Sequence, residues 1–387
     1  MIPYGRQNIN DQDIEGVVSV LQSDWLTQGP LVPRFENLTA EYCSARYAIA
    51  VCNATAALHI ACLALQLGPG DSMWTSPNTF VASANCALYC GAKVDFVDID
   101  PKTYNMSVSA LEAKLIRAEK EGGLPKVVIP VHFAGQSCDM LPIRNLADRF
   151  GFRIIEDASH AIGGKYRNEP IGKCSYSDIT VFSFHPVKII TTGEGGMALT
   201  NDPELADRMQ LFRSHGITRD SEKMHSASHG DWYYQQIELG YNFRMTDMQA
   251  ALGVSQLQRL DGFVERRHIL AGEYETALSK FDVITPWQDP LTYSAFHLYP
   301  VQFVMKGADR RKIFDLLRKA GVGVNVHYIP VHTQPYYAKM GFHPEDFPET
   351  MKYYSRTVTL PLYPGLKKSE QEKIIAEVKN QHYKGEL

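Results

Sequence analysis

The sequence has no excess of positive charge: 39 Lys and Arg stand against 43 Asp and Glu, a formal net charge of -4. Nucleic acids and anionic membranes are held by clustered Lys and Arg, so neither is an expected partner. No apolar run approaches the roughly 18 to 20 residues that span a bilayer, and the opening MIPYGRQNIN lacks a basic stretch followed by an apolar one. The expectation is a cytoplasmic protein, off the membrane, with a small-molecule partner. The seven Cys, at 43, 52, 62, 86, 90, 138 and 174, are odd in number and form no CxxC pair, which argues against a disulfide framework and a zinc knuckle. Cys86 and Cys90, four apart, share a helical face and read as buried thiols. There is no Walker pattern for nucleoside triphosphates and no HExxH; the nearest histidine pairs, His225 with His229 and His327 with His332, do not suggest a metal site. No repeat, low-complexity segment or Gly/Ser-rich linker breaks the chain.

What is there is ordinary globular material. With 387 residues, 44% hydrophobic and 21% charged, the chain can bury one large core and a smaller one. Short β-branched runs (48–52, 94–97, 127–131, 153–156 and 179–182) alternate with helical patterns, the signature of βα units and a mostly parallel sheet. Asn10 reads as the N-cap of a helix with the stripe Ile14, Val17, Val18 and Leu21. Ser109 and Glu112 read as a capping box for a helix through Leu111 and Leu115 that stops at Gly122 and Gly123. Thr246 and Gln249 form another box, opening a long helix to about residue 279. It links a large unit, residues 1–250, to a smaller α/β unit, residues 251–387. In the latter, 299–304 and 322–328 are strand-like, and 310–320 and 368–379 helical.

The chemistry concentrates in four places. A strand ends at Ser183 and is followed by Phe184-His185-Pro186-Val187-Lys188 and then Thr191-Thr192-Gly193-Glu194-Gly195-Gly196, placing a lysine in a Gly/Thr-rich turn between two apolar strands. A lysine amine attacks an aldehyde only when unprotonated, and partial burial supplies that form, so Lys188 suits a Schiff base; a solvated loop lysine is the alternative. The strand at Ile154 and Ile155 runs into Glu156, Asp157, Ala158, Ser159 and His160, where ligands of open parallel sheets lie. A pyridine-type cofactor needs an anion at its ring nitrogen, a role open to Asp157 with His160 in support. From the residues alone, Asp157 is also a cap for the next turn, and His160 is nearly as well read as a structural histidine. Asn53-Ala54-Thr55-Ala56 takes a strand into a helix through small residues, a place where free N–H groups hold a phosphate together with Ser183, or where small residues merely pack. Phe80, after Ser76-Pro77-Asn78-Thr79, stacks on a flat ring or fills a core.

Taken together, EDASHAIGGKY, FSFHPVK followed by TTGEGG, GYNFRMTDMQAALG, LTQGP, VHYIPVH and LPLYPG resemble the sugar aminotransferases of the DegT/DnrJ/StrS family, over essentially the whole chain. The resemblance implies an α/β aspartate-aminotransferase-like fold (fold type I), its large domain built on a mostly parallel sheet with a smaller C-terminal α/β domain, and pyridoxal 5'-phosphate as cofactor. It further implies Lys188 as the covalent cofactor anchor and acid/base, Asp157 at the pyridine nitrogen, and Phe80 on the ring. Thr55, Ala56 and Ser183 would hold the phosphate, with Asn242 reaching the phosphate of a neighbouring subunit in a homodimer with shared sites. Tyr4, Trp25, Leu26, Thr27, His327 and Tyr328 would meet the nucleotide sugar. L-Glutamate is the implied donor, and the implied acceptor is C4 of a UDP-linked 4-keto-6-deoxy-N-acetylhexosamine of pseudaminic acid biosynthesis. Two positions depart from close relatives: Ala56 replaces a frequent serine and Ile189 a frequent proline.

Overall fold

The computed structural model describes residues 1–305 and 307–384. Its main sheet has seven strands, β1 (Tyr47–Val51), β2 (Ser72–Thr75), β3 (Lys93–Phe96), β4 (Val127–Ile129), β5 (Arg153–Asp157), β6 (Ile179–Ser183) and β7 (Gly196–Thr200). They lie in the order β1-β7-β6-β5-β4-β2-β3. Every neighbouring pair is parallel except the two that β7 makes. The short strand β2, which sequence patterning does not pick out, sits between β4 and β3. Helices cover both faces, which is why the central strands read as continuous apolar runs rather than alternating ones.

One face packs on α3 (Ala54–Ala64), α4 (Ala82–Tyr89) and α7 (Pro203–Arg213), through Ile155, Ile179 and Val181. The other packs on α2 (Leu31–Cys43), α5 (Val108–Glu121), α6 (Met140–Phe150) and α8 (Asp247–Leu257), through Ile154 and Phe182. Ile154 and Ile155 thus serve opposite cores, as the two-residue period of a strand requires.

Local signals hold with two corrections. Asn10 and Asp13 form a reciprocal capping box at the start of α1 (Asp11–Leu21). Its apolar residues Ile14, Val18 and Leu21, however, face outward, while Asp13 and Val20 are buried. Helix α5 is capped by Ser107, whose Oγ accepts from the Ala110 N–H, and not by Ser109. Its expected stop at Gly122 is met with a positive φ that suits glycine.

The helix opened by the Thr246/Gln249 box also differs from expectation. It ends at Leu257, and a second helix, α9 (Leu260–Leu278), follows. At the break Arg259 reaches back to donate to Asn8 and Asp13, tying the turn to the start of α1. Along α9 the packing changes hands. Leu260, Phe263 and Val264 belong to the main-sheet core, whereas Leu270, Tyr274 and Leu278 join a separate cluster. That cluster is built on an antiparallel sheet of β8 (Val283–Ile284), β9 (Tyr299–Phe303) and β10 (Thr357–Leu360), with α10 (Arg310–Lys319) and α11 (Lys368–Lys384). The segment 322–328 is not a strand. Its β-pairing is confined to the isolated bridges Val322 to Ile2 and Asn325 to Thr359, after which it leaves the small sheet to carry His327 and Tyr328 to the cavity.

Candidate active site

A cavity of about 570 Å³ opens at the carboxyl ends of β5 and β6, where ligands of open α/β sheets gather. Of the residues singled out in the sequence, Tyr4, Thr55, Phe80, Asp157, His160, Ser183, Lys188, His327 and Tyr328 line it.

Asp157 closes β5 and is buried. Its Oδ1 accepts from the Ser159 N–H at 3.1 Å and its Oδ2 from the Ser83 hydroxyl at 2.6 Å. Glu156, one residue earlier, points to the other face and pairs there with His132 Nε2 at 2.6 Å. Lys188 lies in the turn after β6. Burial brings its ammonium pKa down to about 8, with the Asp157 charge pulling the other way. An amine so placed has a far larger neutral fraction near physiological pH than an ordinary lysine, and the neutral form is the nucleophile.

Opposite, α3 begins at the cavity wall. Asn53 caps it by accepting the Ala56 N–H at 2.9 Å, which leaves the first N–H groups of the helix, at Ala54 and Thr55, facing the cavity without an intrahelical partner. Gly196 lets β7 abut this corner, since a Cβ there would come within 2.6 Å of the Asn53 and Ala54 backbone. Ala56 therefore stands behind the wall, its N–H already engaged.

His160 is fixed from both ring nitrogens. Nδ1 accepts the Ala134 N–H at 3.3 Å, so Nε2 carries the proton and donates to the Tyr328 hydroxyl at 3.0 Å. Burial first, then the Lys188 cation, holds His160 well below the ordinary histidine range, and the same two causes bring His327 to about 3. His297 stacks on His160 with ring centroids 4.5 Å apart and is likewise kept neutral, by burial and by His160 and Lys188. Phe80 stands at the cavity, 58% exposed.

Trp25, Leu26, Thr27 and Asn242 do not line this cavity. All four are exposed. Thr27 bridges to Thr246, and Asn242 to Ser214. Conversely, Ser83, His185, Glu194, His297 and Asn325 line the cavity without having been singled out for it.

The donor set fits pyridoxal 5'-phosphate. Unpartnered helix N–H groups with Thr55 and Ser183 suit an anion, a buried carboxylate suits a protonated ring nitrogen, and a desolvated amine suits the aldehyde. Fold and cavity together define a pyridoxal-phosphate-dependent aminotransferase.

Comparison with known proteins narrows the class. Residues 7–379 match the DegT/DnrJ/EryC1/StrS aminotransferase family, and the chain belongs to that family. It is 41% identical over 384 residues to the spore coat polysaccharide biosynthesis protein SpsC of Bacillus subtilis, covering 98% of this chain and 96% of the relative. It is 38% identical over 342 residues to the UDP-4-amino-4,6-dideoxy-N-acetyl-beta-L-altrosamine transaminase of Campylobacter jejuni, covering 88% and 87%. Among solved structures, Helicobacter pylori PseC, an aminotransferase of pseudaminic acid biosynthesis, superimposes with a TM-score of 0.90 at 29% identity, covering 99% of each chain. A Streptococcus pneumoniae protein described as a putative sugar aminotransferase, in its PMP form, gives 0.90 at 30% over the full length of both. The protein is a sugar aminotransferase that uses pyridoxal phosphate.

Proposed function

We propose that the chain moves the amino group of L-glutamate to C4 of a UDP-linked 4-keto-6-deoxy-N-acetylhexosamine, forming UDP-4-amino-4,6-dideoxy-N-acetyl-β-L-altrosamine for pseudaminic acid and surface or flagellin glycan. The chemistry rests on one observation: Lys188, with its lowered pKa, shares a cavity with buried Asp157 and the open start of α3. The acceptor is supported by the Campylobacter and Helicobacter relatives.

When bound, the cofactor supplies an electron sink and carries the amino group between donor and acceptor. The chain's own residues do the rest. Thr55, Ser183 and the first N–H groups of α3 hold the phosphate. Asp157, oriented by Ser83, would face the ring nitrogen and hold its proton. Phe80 covers the ring, while neutral His160 adds no competing positive charge beside Lys188. Lys188, once free, takes a proton from the donor carbon and returns it in the second half. Tyr4, His327 and Tyr328 meet the acceptor sugar.

Trp25, Leu26, Thr27 and Asn242 act, on this reading, across a homodimer interface, with Asn242 directed at the partner's phosphate site. The outward Ile14, Val18 and Leu21 of α1, continuous in sequence with exposed Trp25 and Leu26, support such an interface. The reading also includes two working units, residues 1–250 and 251–387, coupled through α9, and a cytoplasmic setting. Among the described residues no helix is long and apolar enough to cross a membrane.

A second reading, amination of a different nucleotide-linked keto sugar, is favoured by the spore coat relative, matched over nearly the whole chain. Incubation with L-glutamate and each candidate keto sugar, with products read by mass spectrometry, separates the two. The first predicts a 4-amino product from the UDP-linked N-acetylhexosamine. Turnover confined to another keto sugar selects the second.

A further inference from the structure

A second cavity, of about 690 Å³ against 570 Å³ for the catalytic one, lies between α9, β8 and residues 285–296. Its size is that of a small-molecule site. Trp287 and Phe296 supply aromatic surface, and Ile284 and Trp287 are exposed although apolar. Two residues of the lining carry a buried polar atom without a hydrogen-bond partner. One is the hydroxyl of Tyr299, a residue only 2% exposed, and the other is Gln288 Oε1. Gln288 spends its Nε2 on the carbonyls of Pro286 and Trp287, at 3.1 and 3.2 Å, so the atom left over is an acceptor. A buried polar atom without a partner costs free energy that a matching ligand group recovers. Charge in the lining has one sign. Glu275, exposed on α9, contributes a carboxylate, and among the described residues no Lys or Arg lines the cavity.

We propose that this cavity is a second ligand site, that it takes a small organic ammonium ion with an apolar body, and that its occupancy is felt at the active site through residues 294–297.

An aromatic face beside a carboxylate is the pairing that recognises organic cations, and Gln288 Oε1 gives their N–H groups an acceptor. A phosphate or carboxylate ligand meets no counter-charge in this lining.

The two cavities are one residue apart. Phe296 borders the second, and His297 borders the catalytic one. The Phe296 backbone is left-handed, with φ +46°, a conformation that a bulky residue holds only when its surroundings impose it. Those surroundings are visible. Its N–H donates to Ser294 Oγ at 3.1 Å, and its carbonyl accepts from Arg267 Nη1 at 3.1 Å. His268 donates from Nε2 to the Ser294 carbonyl at 2.7 Å and sets its ring edge-on to Phe296, with centroids 4.7 Å apart. A ligand packed on Phe296 thus acts on a stretch with little freedom, and the next side chain lies 4.5 Å, centroid to centroid, from the ring of His160.

The test uses cofactor-loaded protein and N,N-dimethylbenzylamine. This tertiary amine is protonated at pH 7, keeps one N–H, and cannot condense with pyridoxal phosphate. Titration calorimetry is expected to show saturable binding, and benzenesulfonate, an anion of similar size, none. Glu275→Gln and Trp287→Ala are each expected to weaken binding by about threefold or more. Lys102, whose Nζ lies 5.9 Å from the Trp287 ring centroid, is a competing cation, so Lys102→Gln is expected to tighten it. All three side chains are exposed, so these variants are expected to fold. Saturation with the amine is expected to alter the visible circular dichroism of the bound cofactor, and to do so less in Trp287→Ala at the same amine concentration. Absence of saturable binding overturns the site, as does binding that Glu275→Gln and Trp287→Ala leave unchanged. Binding that these variants weaken, with an unaltered dichroism spectrum, overturns the link to His297.

Discussion

The Ser83 hydroxyl donates to Asp157 Oδ2 at 2.6 Å, joining the first turn of α4 to the end of β5 across 74 residues of sequence. A hydrogen bond to a buried carboxylate contributes about 1.5–3 kcal/mol. Ser83→Ala should therefore weaken pyridoxal phosphate binding by about tenfold or more while leaving the fold intact. Fluorescence titration of cofactor-free protein reads this directly. Asp157→Asn, which removes the anion itself, should abolish turnover. An affinity unchanged in Ser83→Ala would mean that Asp157 is held in place by other groups.

Lys188 sets a pH window. Its pKa of about 8 lies below the ordinary lysine range, so capture of pyridoxal phosphate by cofactor-free protein should rise through pH 8 and then level off. A rate still climbing near pH 10 would contradict the burial argument. The same shift acts on stability. Above about pH 8 the unfolded chain binds this proton and the folded one does not, so stability rises with pH until the ordinary lysine pKa is passed. Lys188→Met should accordingly raise the Tm of cofactor-free protein at pH 7, by a margin that shrinks toward pH 10.

Arg267 is fully buried on α9 and donates through Nη1 to the carbonyls of Phe296, His297 and Leu362 at 2.8–3.3 Å. It fixes the segment that lays His297 against His160. Arg267→Met strips a buried segment of charge-assisted donors. It should cost about 2–4 kcal/mol in urea denaturation and lower cofactor affinity as well. Loss of stability with full cofactor affinity would uncouple the clamp from the site.

The outward face of α1 gives the assembly test. If Val18 and Leu21 lie in a dimer interface, Val18→Asp places a charge in it and should yield monomers by sedimentation, with activity lost in parallel. An active monomer would remove the shared-site reading of Asn242.

Much of this molecule is legible in its sequence because its signals are local. Asn10 and Thr246 mark helix starts through contacts three residues away, Gly122 marks a helix end by its positive φ, and the β5 and β6 runs announce the strands that deliver Asp157 and Ser183. What escapes depends on distant partners. The periodicity of α1 shows that Ile14, Val18 and Leu21 share a face, but not that the face points outward. A helical pattern across 252–264 does not reveal that Arg259 turns away to reach Asp13. The alternating run 322–328 looks like a strand, yet its neighbours offer only isolated bridges. Ser83 and His297 become visible as site residues only when the fold sets them beside Asp157 and His160. Their one sequence signal is a small polar residue, or a histidine, near motifs already marked.

The most direct test of the central claim is the visible absorbance of cofactor-loaded protein, recorded alone, after L-glutamate, and after subsequent addition of the UDP-linked 4-keto-6-deoxy-N-acetylhexosamine. The account predicts a visible band that depends on Lys188, fades with glutamate and returns with the sugar. A band that fails to respond to glutamate, or that persists unchanged in Lys188→Ala, would contradict it.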